Sequence, residues 1–248
     1  MTGASRLIVG TSGWSYPGWR GGFYKGVPQR RWLAHCAEHF TGIEINATFY
    51  RFMKPSAFTG WRAQTPDAFA FALKGHRLVT HRSRLKDTGK TLENLKDSFA
   101  PLGDKLAAVL WQLPPNLEKD AGLLRAFARA LKAWPEVPHV LEFRHPSWFE
   151  RETAAILEAH GLANCISDAG RWPLWDAVTA GLVYVRLHGH ERTYASEYGE
   201  AGLGPWAERI HGWLAAGAQV HVYFDNDAEG AAPYDAMRLM AMVETRPA

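Results

Sequence analysis

The chain has 248 residues, of which 47% are hydrophobic and 21% are charged, and its formal net charge is +3. This is the composition of an ordinary globular protein, and no apolar run is long enough to cross a membrane. Two cysteines, Cys36 and Cys165, are too few for a disulfide framework and stand in no metal-ligand spacing. The first residues lack the pattern of a signal peptide. We therefore expect one cytoplasmic domain over residues 1–248, with its core at about 7–242.

Apolar runs of strand length alternate along the chain with amphipathic runs of helix length. Strands are predicted at 7–11, 42–46, 68–74, 105–113, 139–143, 162–168, 182–188 and 219–226. Helices are predicted at 30–40, 56–64, 91–103, 117–134, 149–161, 206–217 and 231–243. Strands that alternate with helices pair in parallel, so eight strands in a chain of this length predict an α/β fold, a single-domain (β/α)8 barrel of the TIM type. An open doubly wound sheet is the alternative, because the number of strands does not show closure.

Polar side chains occupy alternate positions near the carboxyl ends of most predicted strands. Successive side chains of a strand point to opposite faces, so one set packs under the helices and the other faces the barrel interior. In LEFRHPSWF (141–149), Leu141 and Phe143 belong to the first set, while Glu142 and Arg144 belong to the second. The polar interior residues, with Asp168 at the same end of its strand, are Glu44, Asn46, Lys74, Gln112, Glu142, Arg144, Asp168, Arg186, His188 and Asp225. Catalytic groups gather at this C-terminal mouth in barrels of this kind.

Two interpretations of this polar ring are open. In the first, Lys74, Arg144 and Arg186 only neutralise the carboxylates of a scaffold, because buried charges need partners. However, replacing buried ion pairs by apolar groups is often neutral or stabilising, which makes so large a network a poor device for stability alone. Perturbed charges are also enriched in functional sites. We therefore favour a functional site.

Aromatic residues crowd the loops that follow the predicted strands. These rings either cover the mouth of the barrel or stack against flat ligands such as sugars and nucleobases. The candidate aromatic contacts, with one tyrosine of the interior set, are Trp14, Tyr16, Tyr50, Trp148 and Tyr223.

Charge and histidine patterns suggest an anion more than a metal. The segment 74–90, KGHRLVTHRSRLKDTGK, carries six Lys or Arg and one Asp, and is either a solvated surface or an anion-attracting rim. His188 and His190 stand two residues apart and could bind a metal with carboxylates of other strands, but the neighbouring cations would repel it. A divalent metal is therefore possible but not favoured, and no cofactor is predicted. Asp227 is predicted to cap the last helix.

Seven motifs follow one another in the order GTSGWSYPGW (10–19), EINATFYRF (44–52), FALKGHRLVTH (71–81), WQLPPNL (111–117), LEFRHPSW (141–148), YVRLHG (184–189) and YFDND (223–227). This ordered set, from about residue 7 to residue 242, resembles the YecE-like family, domain of unknown function 72. The resemblance implies a TIM-type barrel. It implies no reaction, because the family has no established activity. The resemblance implies that the polar positions of the family's motifs correspond to the ten polar residues of the ring in this sequence.

The leading hypothesis is an enzyme with acid–base chemistry of hydrolase or lyase type on a phosphate-bearing or nucleic-acid ligand. The candidate catalytic residues are Glu44, Glu142, Asp168, His188 and Asp225. Glu44 or Glu142 would act as the general base, and Asp168 or His188 as the partner acid. Candidate residues for holding the anion or orienting the substrate are Asn46, Lys74, Gln112, Arg144 and Arg186.

Two other hypotheses remain open. A glycoside-acting enzyme needs a pair of carboxylates and suits the aromatic loops, although three interior cations fit it less well. A non-catalytic nucleic-acid-binding protein would use the charged rim and stacking, and its affinity would fall steeply with salt. No membrane association is predicted, and the sequence allows no inference about a protein partner.

Overall fold

The computed structural model describes residues 7–170 and 172–245. Its eight strands are β1 (Leu7–Thr11), β2 (Gly42–Ile45), β3 (Ala70–Lys74), β4 (Leu106–Gln112), β5 (His139–Glu142), β6 (Ala163–Asp168), β7 (Leu182–Leu187) and β8 (Gln219–Phe224). Its α-helices are α1 (Trp32–His39), α2 (Ala47–Tyr50), α3 (Pro55–Ala63), α4 (Gly89–Phe99), α5 (Ala121–Leu131), α6 (Arg151–His160), α7 (Gly199–Ala215) and α8 (Ala232–Glu244). The strands form a parallel sheet in the order β1-β8-β7-β6-β5-β4-β3-β2. The predicted single-domain α/β barrel is confirmed.

The two ends of the sheet, β1 and β2, meet and nearly close the barrel. Ser12 and Glu44 form a parallel bridge between them, and the Thr41 N–H donates to the Val9 carbonyl at 3.1 Å. Glycine makes this approach possible, because a Cβ on Gly10 would lie 1.8 Å from the carbonyl oxygen of Gly42. The open doubly wound sheet is therefore wrong.

The alternation predicted along the strands separates two buried groups of side chains. Residues such as Ile43, Phe71 and Val109 pack under the helices in the main hydrophobic core. The interior of the barrel is filled by a smaller set: Ile8, Ala70, Ala72, Ala108, Leu110, Val140, Ala163, Cys165, Leu182, Tyr184 and Tyr223. We call this smaller set the interior plug. The polar ring lies at the carboxyl ends of the strands that supply the interior plug.

The helices differ from prediction in two main respects, the start of α7 and the role of Asp227. The helix α7 begins at Gly199 and not at 206, and it contains Pro205. The glycines and the proline disfavour a helix locally, but burial of hydrophobic residues such as Leu203 outweighs this cost. Asp227 does not cap the last helix, whose first residue is Ala232. Among the described residues, no helix connects β6 to β7, and none has both the length and the apolar character needed to cross a membrane.

Candidate active site

Arg186 is the centre of the polar ring. It lies on β7, is 1% exposed, and donates from Nε to both carboxylate oxygens of Glu44 at 3.1 and 3.0 Å. Its Nη1 donates to Glu142 Oε2 at 3.1 Å, and its Nη2 to Asp225 Oδ2 at 2.9 Å. One guanidinium therefore joins three carboxylates from β2, β5 and the end of β8. Its position favours a role as counterion over direct contact with a ligand.

Glu44 also contacts two residues, Ser12 and Tyr184, that were not predicted as site residues. The Ser12 hydroxyl donates to Glu44 Oε1, and the Tyr184 hydroxyl donates to Oε2 at 2.6 Å. Asn46 donates in turn from Nδ2 to Ser12 Oγ at 2.9 Å. The alternation contained the signal for both, because Ser12 continues the interior positions of β1 and Tyr184 precedes Arg186 by two residues.

Glu142 and Arg144 form an ion pair at the end of β5. Arg144 Nη2 lies 2.5 Å from Glu142 Oε1, which also accepts from Ser167 at 3.2 Å. Burial raises the pKa of Glu142, but Arg144, Arg186 and other cations outweigh it and hold the pKa below its usual range. The carboxylate and guanidinium two residues apart in the sequence are thus partners, and Glu142 stays ionised at neutral pH.

His188 is held neutral beside Asp225. Its ring is fully buried, Nδ1 lies 2.9 Å from Asp225 Oδ2, and Arg186 Nη1 lies 3.3 Å from Nε2. A guanidinium only donates, so Nε2 accepts and Nδ1 carries the proton that faces Asp225. Burial and then Arg186 lower the pKa of His188, against the attraction of the carboxylates. This arrangement favours His188 as a fixed link of the network over the proton donor of the reaction.

Lys74 differs from the other cations of the ring because it has no close carboxylate. Its side chain ends β3 and is 8% exposed, and Nζ lies 4.7 Å from the centre of the Phe49 ring. Within residues 7–170 and 172–245, no carboxylate oxygen lies within 4.0 Å of Nζ. Burial and then Arg186 lower the pKa of Lys74 to about 8. A substantial fraction of neutral amine is therefore present near neutral pH.

Two clefts open beside the ring. One, of about 200 Å³, is lined by Arg144 and its stacking partner Trp172, whose ring centre lies 3.6 Å from Arg144 Cζ. The buried Nε of Arg144 has no hydrogen-bond partner among the described residues. The other, of about 340 Å³, is lined by Trp14 and Tyr16, and the buried Oδ1 of Asn46 at its edge is also without a partner. Unpaired buried polar atoms are costly, so each is a candidate contact for a ligand.

Other predicted site residues are placed less centrally. Asp168 accepts a hydrogen bond from the Tyr198 hydroxyl at 2.9 Å. Gln112 pairs in register with Glu142 at the end of β4 and is partly buried. Tyr50 is 63% exposed, and its ring contacts Phe49.

Trp148 and Tyr223 do not line the mouth, contrary to prediction. Trp148 is fully buried, packs against Phe143, and donates from Nε1 to the Leu117 carbonyl at 2.7 Å. Tyr223 is also fully buried and belongs to the interior plug of the barrel. Both rings contribute to packing, because strand alternation and a loop position do not reveal depth below the mouth.

The two histidines of the HxH pattern do not converge. His188 faces the ring, whereas the side chain of His190 is 39% exposed and its ring lies 5.0 Å from that of Tyr198. In the described part of the chain, no group of three or more His, Cys, Asp or Glu side chains is arranged to hold a metal ion.

Asp227 is a further acidic residue of the mouth. Its carboxyl group contacts the Tyr16 hydroxyl, and its carbonyl accepts a hydrogen bond from Trp19 Nε1 at 3.0 Å. Burial and the nearby charge of Asp225 raise the pKa of Asp227 to about 6. Asp227 therefore exchanges a proton close to neutral pH, unlike Glu142.

This pKa predicts a pH-dependent effect of Asp227→Asn. A carboxyl group whose pKa is higher in the folded than in the unfolded protein is harder to ionise in the folded state. The folded protein therefore loses stability as the pH rises from the unfolded pKa, near 4, through the folded pKa. We expect Asp227→Asn to raise the free energy of unfolding above about pH 7 by about 1 kcal/mol, after allowance for partial exposure.

Urea unfolding at about pH 7.5 and about pH 4 measures this effect, and the gain should disappear at the lower pH. Exposed Asp67 gives the control, because Asp67→Asn should change stability by less than about 0.5 kcal/mol at both. A destabilising effect of Asp227→Asn above pH 7 would contradict the prediction.

Comparisons with known proteins agree with the barrel and its motifs. A family model described as "Protein of unknown function DUF72" matches residues 8–248. The chain is 23% identical over 274 residues to UPF0759 protein YunF of Bacillus subtilis (strain 168), covering 96% of this chain and 95% of YunF. It is 27% identical over 146 residues to UPF0759 protein YecE of Escherichia coli (strain K12), covering 58% of this chain and 51% of YecE.

A solved structure shows the same architecture. The crystal structure of a DUF72 family protein from Thermotoga maritima MSB8 superposes with a TM-score of 0.86 at 26% sequence identity, and the match covers 96% of this chain and 99% of that one. The family model matches nearly the whole chain. This protein therefore belongs to the DUF72 family of proteins of unknown function.

Proposed function

We propose that this protein is an enzyme with acid–base chemistry of hydrolase or lyase type, acting at the barrel mouth on a small ligand with a phosphate or carboxylate group. The main support for the proposal is the environment of the Arg144 guanidinium. This cation lies on the wall of a cleft, stacks on Trp172, and has a buried Nε that no residue within 7–170 and 172–245 hydrogen-bonds. Arginine is well suited to bind phosphate and carboxylate because its donors form a planar fork.

The surroundings of Arg144 support an anionic ligand. His81 lies in the segment after β3, and its pKa is lowered by burial, then by Lys74, Arg144 and other cations. Burial is the largest cause of this shift, but the four charged groups that add to it are all cations, so the charge around His81 is mainly positive. Such positive charge concentrates anions at the mouth.

Proton transfer is best assigned to groups that titrate near neutral pH. Glu142 and Asp225 have lowered pKa values because cations surround them, which favours a role as fixed negative charges. Lys74 and Asp227 have pKa values of about 8 and about 6. A general acid or base works best when its pKa lies near the working pH, so we assign proton transfer to Asp227. Lys74 is the second group of the mouth whose protonation changes near neutral pH.

Ribose 5-phosphate and ribose form a matched pair of probes for this proposal. At a concentration about tenfold above its Kd, a ligand stabilises the native state by about 1.4 kcal/mol, or about 3 °C in Tm for a chain of this size. We expect ribose 5-phosphate to raise the Tm of the wild type by this amount, and ribose to have no effect. In Arg144→Ala, the shift relative to its own ligand-free Tm should disappear.

Arg192→Ala serves as the control, because Arg192 is exposed and its ion pair is with Glu229, which is not a residue of the ring. Equal shifts with ribose and ribose 5-phosphate would contradict the anion site and favour a carbohydrate-acting enzyme, for which the aromatic cleft of Trp14 and Tyr16 is the supporting observation. A shift only with a short DNA strand, lost at high salt, would favour nucleic-acid binding.

A further inference from the structure

We propose that Lys74 is a nucleophile that forms an imine with the carbonyl carbon of an aldehyde or ketone ligand. The inference rests on the proposed function for the position of the site and adds to it a substrate class: small carbonyl compounds with an anionic group. Lysine amines that are desolvated or placed beside another cation are activated for this reaction.

The first support is a contrast between two buried lysines. Lys105 is 3% exposed, and its ammonium donates to the Arg62 carbonyl at 2.8 Å, the Thr65 carbonyl at 2.8 Å and Thr65 Oγ1 at 3.2 Å. That set of acceptors satisfies the three donors of an ammonium. Lys74 is buried nearly as deeply, but no such acceptor set surrounds its Nζ within the described residues. Burial lowers the pKa of both amines, but the acceptors around Lys105 satisfy its ammonium, whereas Lys74 has only the face of the Phe49 ring close to Nζ among the described residues.

The second support is the position of Lys74. It is the last residue of β3 and follows Ala72 of the barrel interior by two residues, so alternation puts its side chain on the interior face at the carboxyl end of the strand. The aromatic ring of Phe49 lies beside Nζ. The charged groups that act on Nζ are Arg186, which disfavours the ammonium, and Glu142, Glu44 and Asp225, which favour it. Burial and Arg186 together outweigh the three carboxylates, and the pKa is lowered to about 8.

The reaction needs no oxidant, reductant or second substrate. The neutral amine adds to the carbonyl carbon, so a C–N bond forms and the π electron pair moves to oxygen. Both amine hydrogens end on that oxygen, the C–O bond breaks, and water leaves. The product is an imine, which on protonation withdraws electrons from the adjacent carbon. This electron withdrawal suits the lyase-type chemistry of the proposed function.

Reductive labelling tests the inference. The wild type is treated at about pH 7 with an equimolar amount of pyridoxal 5′-phosphate, reduced with borohydride, and digested for mass spectrometry. Exposed Lys54 reports the reactivity of an ordinary lysine in the same tube. At pH 7 an amine of pKa 8 is about 10% neutral, against about 0.03% for an amine of pKa 10.5. We expect Lys74 to carry at least about tenfold more label than Lys54.

The pH dependence and one variant separate an imine-forming lysine from a structural one. The ratio of label on Lys74 to label on Lys54 should fall as the pH rises above about 8, because the neutral fraction of an amine of pKa 8 is then nearly complete while that of an ordinary lysine still increases. Lys74→Arg keeps the charge but has no nucleophilic amine, so the excess label should vanish while Lys54 remains labelled. Equal labelling of Lys74 and Lys54, or a ratio that does not change with pH, would overturn the inference.

A second reagent separates failure of this inference from failure of the anion site. Propionaldehyde with cyanoborohydride presents a carbonyl group without an anionic group. Selective labelling of Lys74 by propionaldehyde, without any Tm shift from ribose 5-phosphate, would support the imine and contradict the anion site. A Tm shift from ribose 5-phosphate without selective labelling by either reagent would keep the anion site and overturn the imine.

Discussion

Replacing Arg186 with methionine is expected to lower the free energy of unfolding by about 3–5 kcal/mol at neutral pH. Methionine has a similar length and no charge, so the change leaves Glu44, Glu142 and Asp225 without their shared counterion. Removing one partner of a buried ion pair costs far more than the pair itself contributes, because an uncompensated charge stays in a medium of low polarity.

The loss should depend on pH with a definite sign. In the wild type, Glu142 and Asp225 have pKa values below those of the unfolded chain. Their ionised forms therefore stabilise the folded protein above the unfolded pKa, near 4, and this contribution is lost as the pH falls further, through the folded pKa. Without Arg186, Asp225 loses its main cation and is protonated more easily, whereas Glu142 keeps Arg144 beside it and is affected less. The variant therefore recovers part of its stability as the pH falls. We therefore expect the difference between wild type and Arg186→Met to shrink between about pH 7 and about pH 4.

Urea unfolding of both proteins across this pH range measures the difference. Arg192→Met is the matched control, because the pair of Arg192 with Glu229 is exposed and its loss should cost less than about 1 kcal/mol. A loss for Arg186→Met as small as that of the control would show that Arg186 is not the counterion of the ring.

Gly10→Ala is expected to destabilise the barrel by about 3 kcal/mol or more, or to prevent folding. The added Cβ would lie 1.8 Å from the carbonyl oxygen of Gly42, a backbone atom that cannot rotate away. The clash falls where β1 approaches β2, so relief requires the barrel to open. Overpacking of a rigid interior is costly because no free volume takes up the extra methyl group.

Gly60→Ala is the control substitution in the same chain, and it is expected to have the opposite effect on stability. Gly60 lies inside α3, and a Cβ at that position meets no atom within 4 Å. Alanine is favoured over glycine in helices by about 1 kcal/mol, so this variant should be more stable than the wild type. Thermal unfolding of both variants makes the comparison, and an unchanged Tm for Gly10→Ala would contradict the close approach of the two strands.

The sequence contained most of the polar ring, because membership of the ring depends on a local rule. Glu44, Glu142 and Arg186 occupy alternate positions of short apolar runs, and alternation assigns them to the interior without reference to other strands. The same rule reaches Ser12 and Tyr184, which were missed because the first lies just past its strand and the second is not charged. Trp148 and Tyr223 were wrongly placed, because alternation carries no information about depth.

The sequence by itself determined the eight strands, the (β/α)8 architecture and the polar character of the mouth, since these depend on side-chain periodicity within short segments. Only the tertiary structure decided which charges pair. Arg186 on β7 binds Glu44, which is 142 residues away on β2, while Lys74 has no close carboxylate in the part of the chain that the structure describes. Protonation follows from those pairings, because each pKa depends on burial and on distances between strands that are remote in sequence.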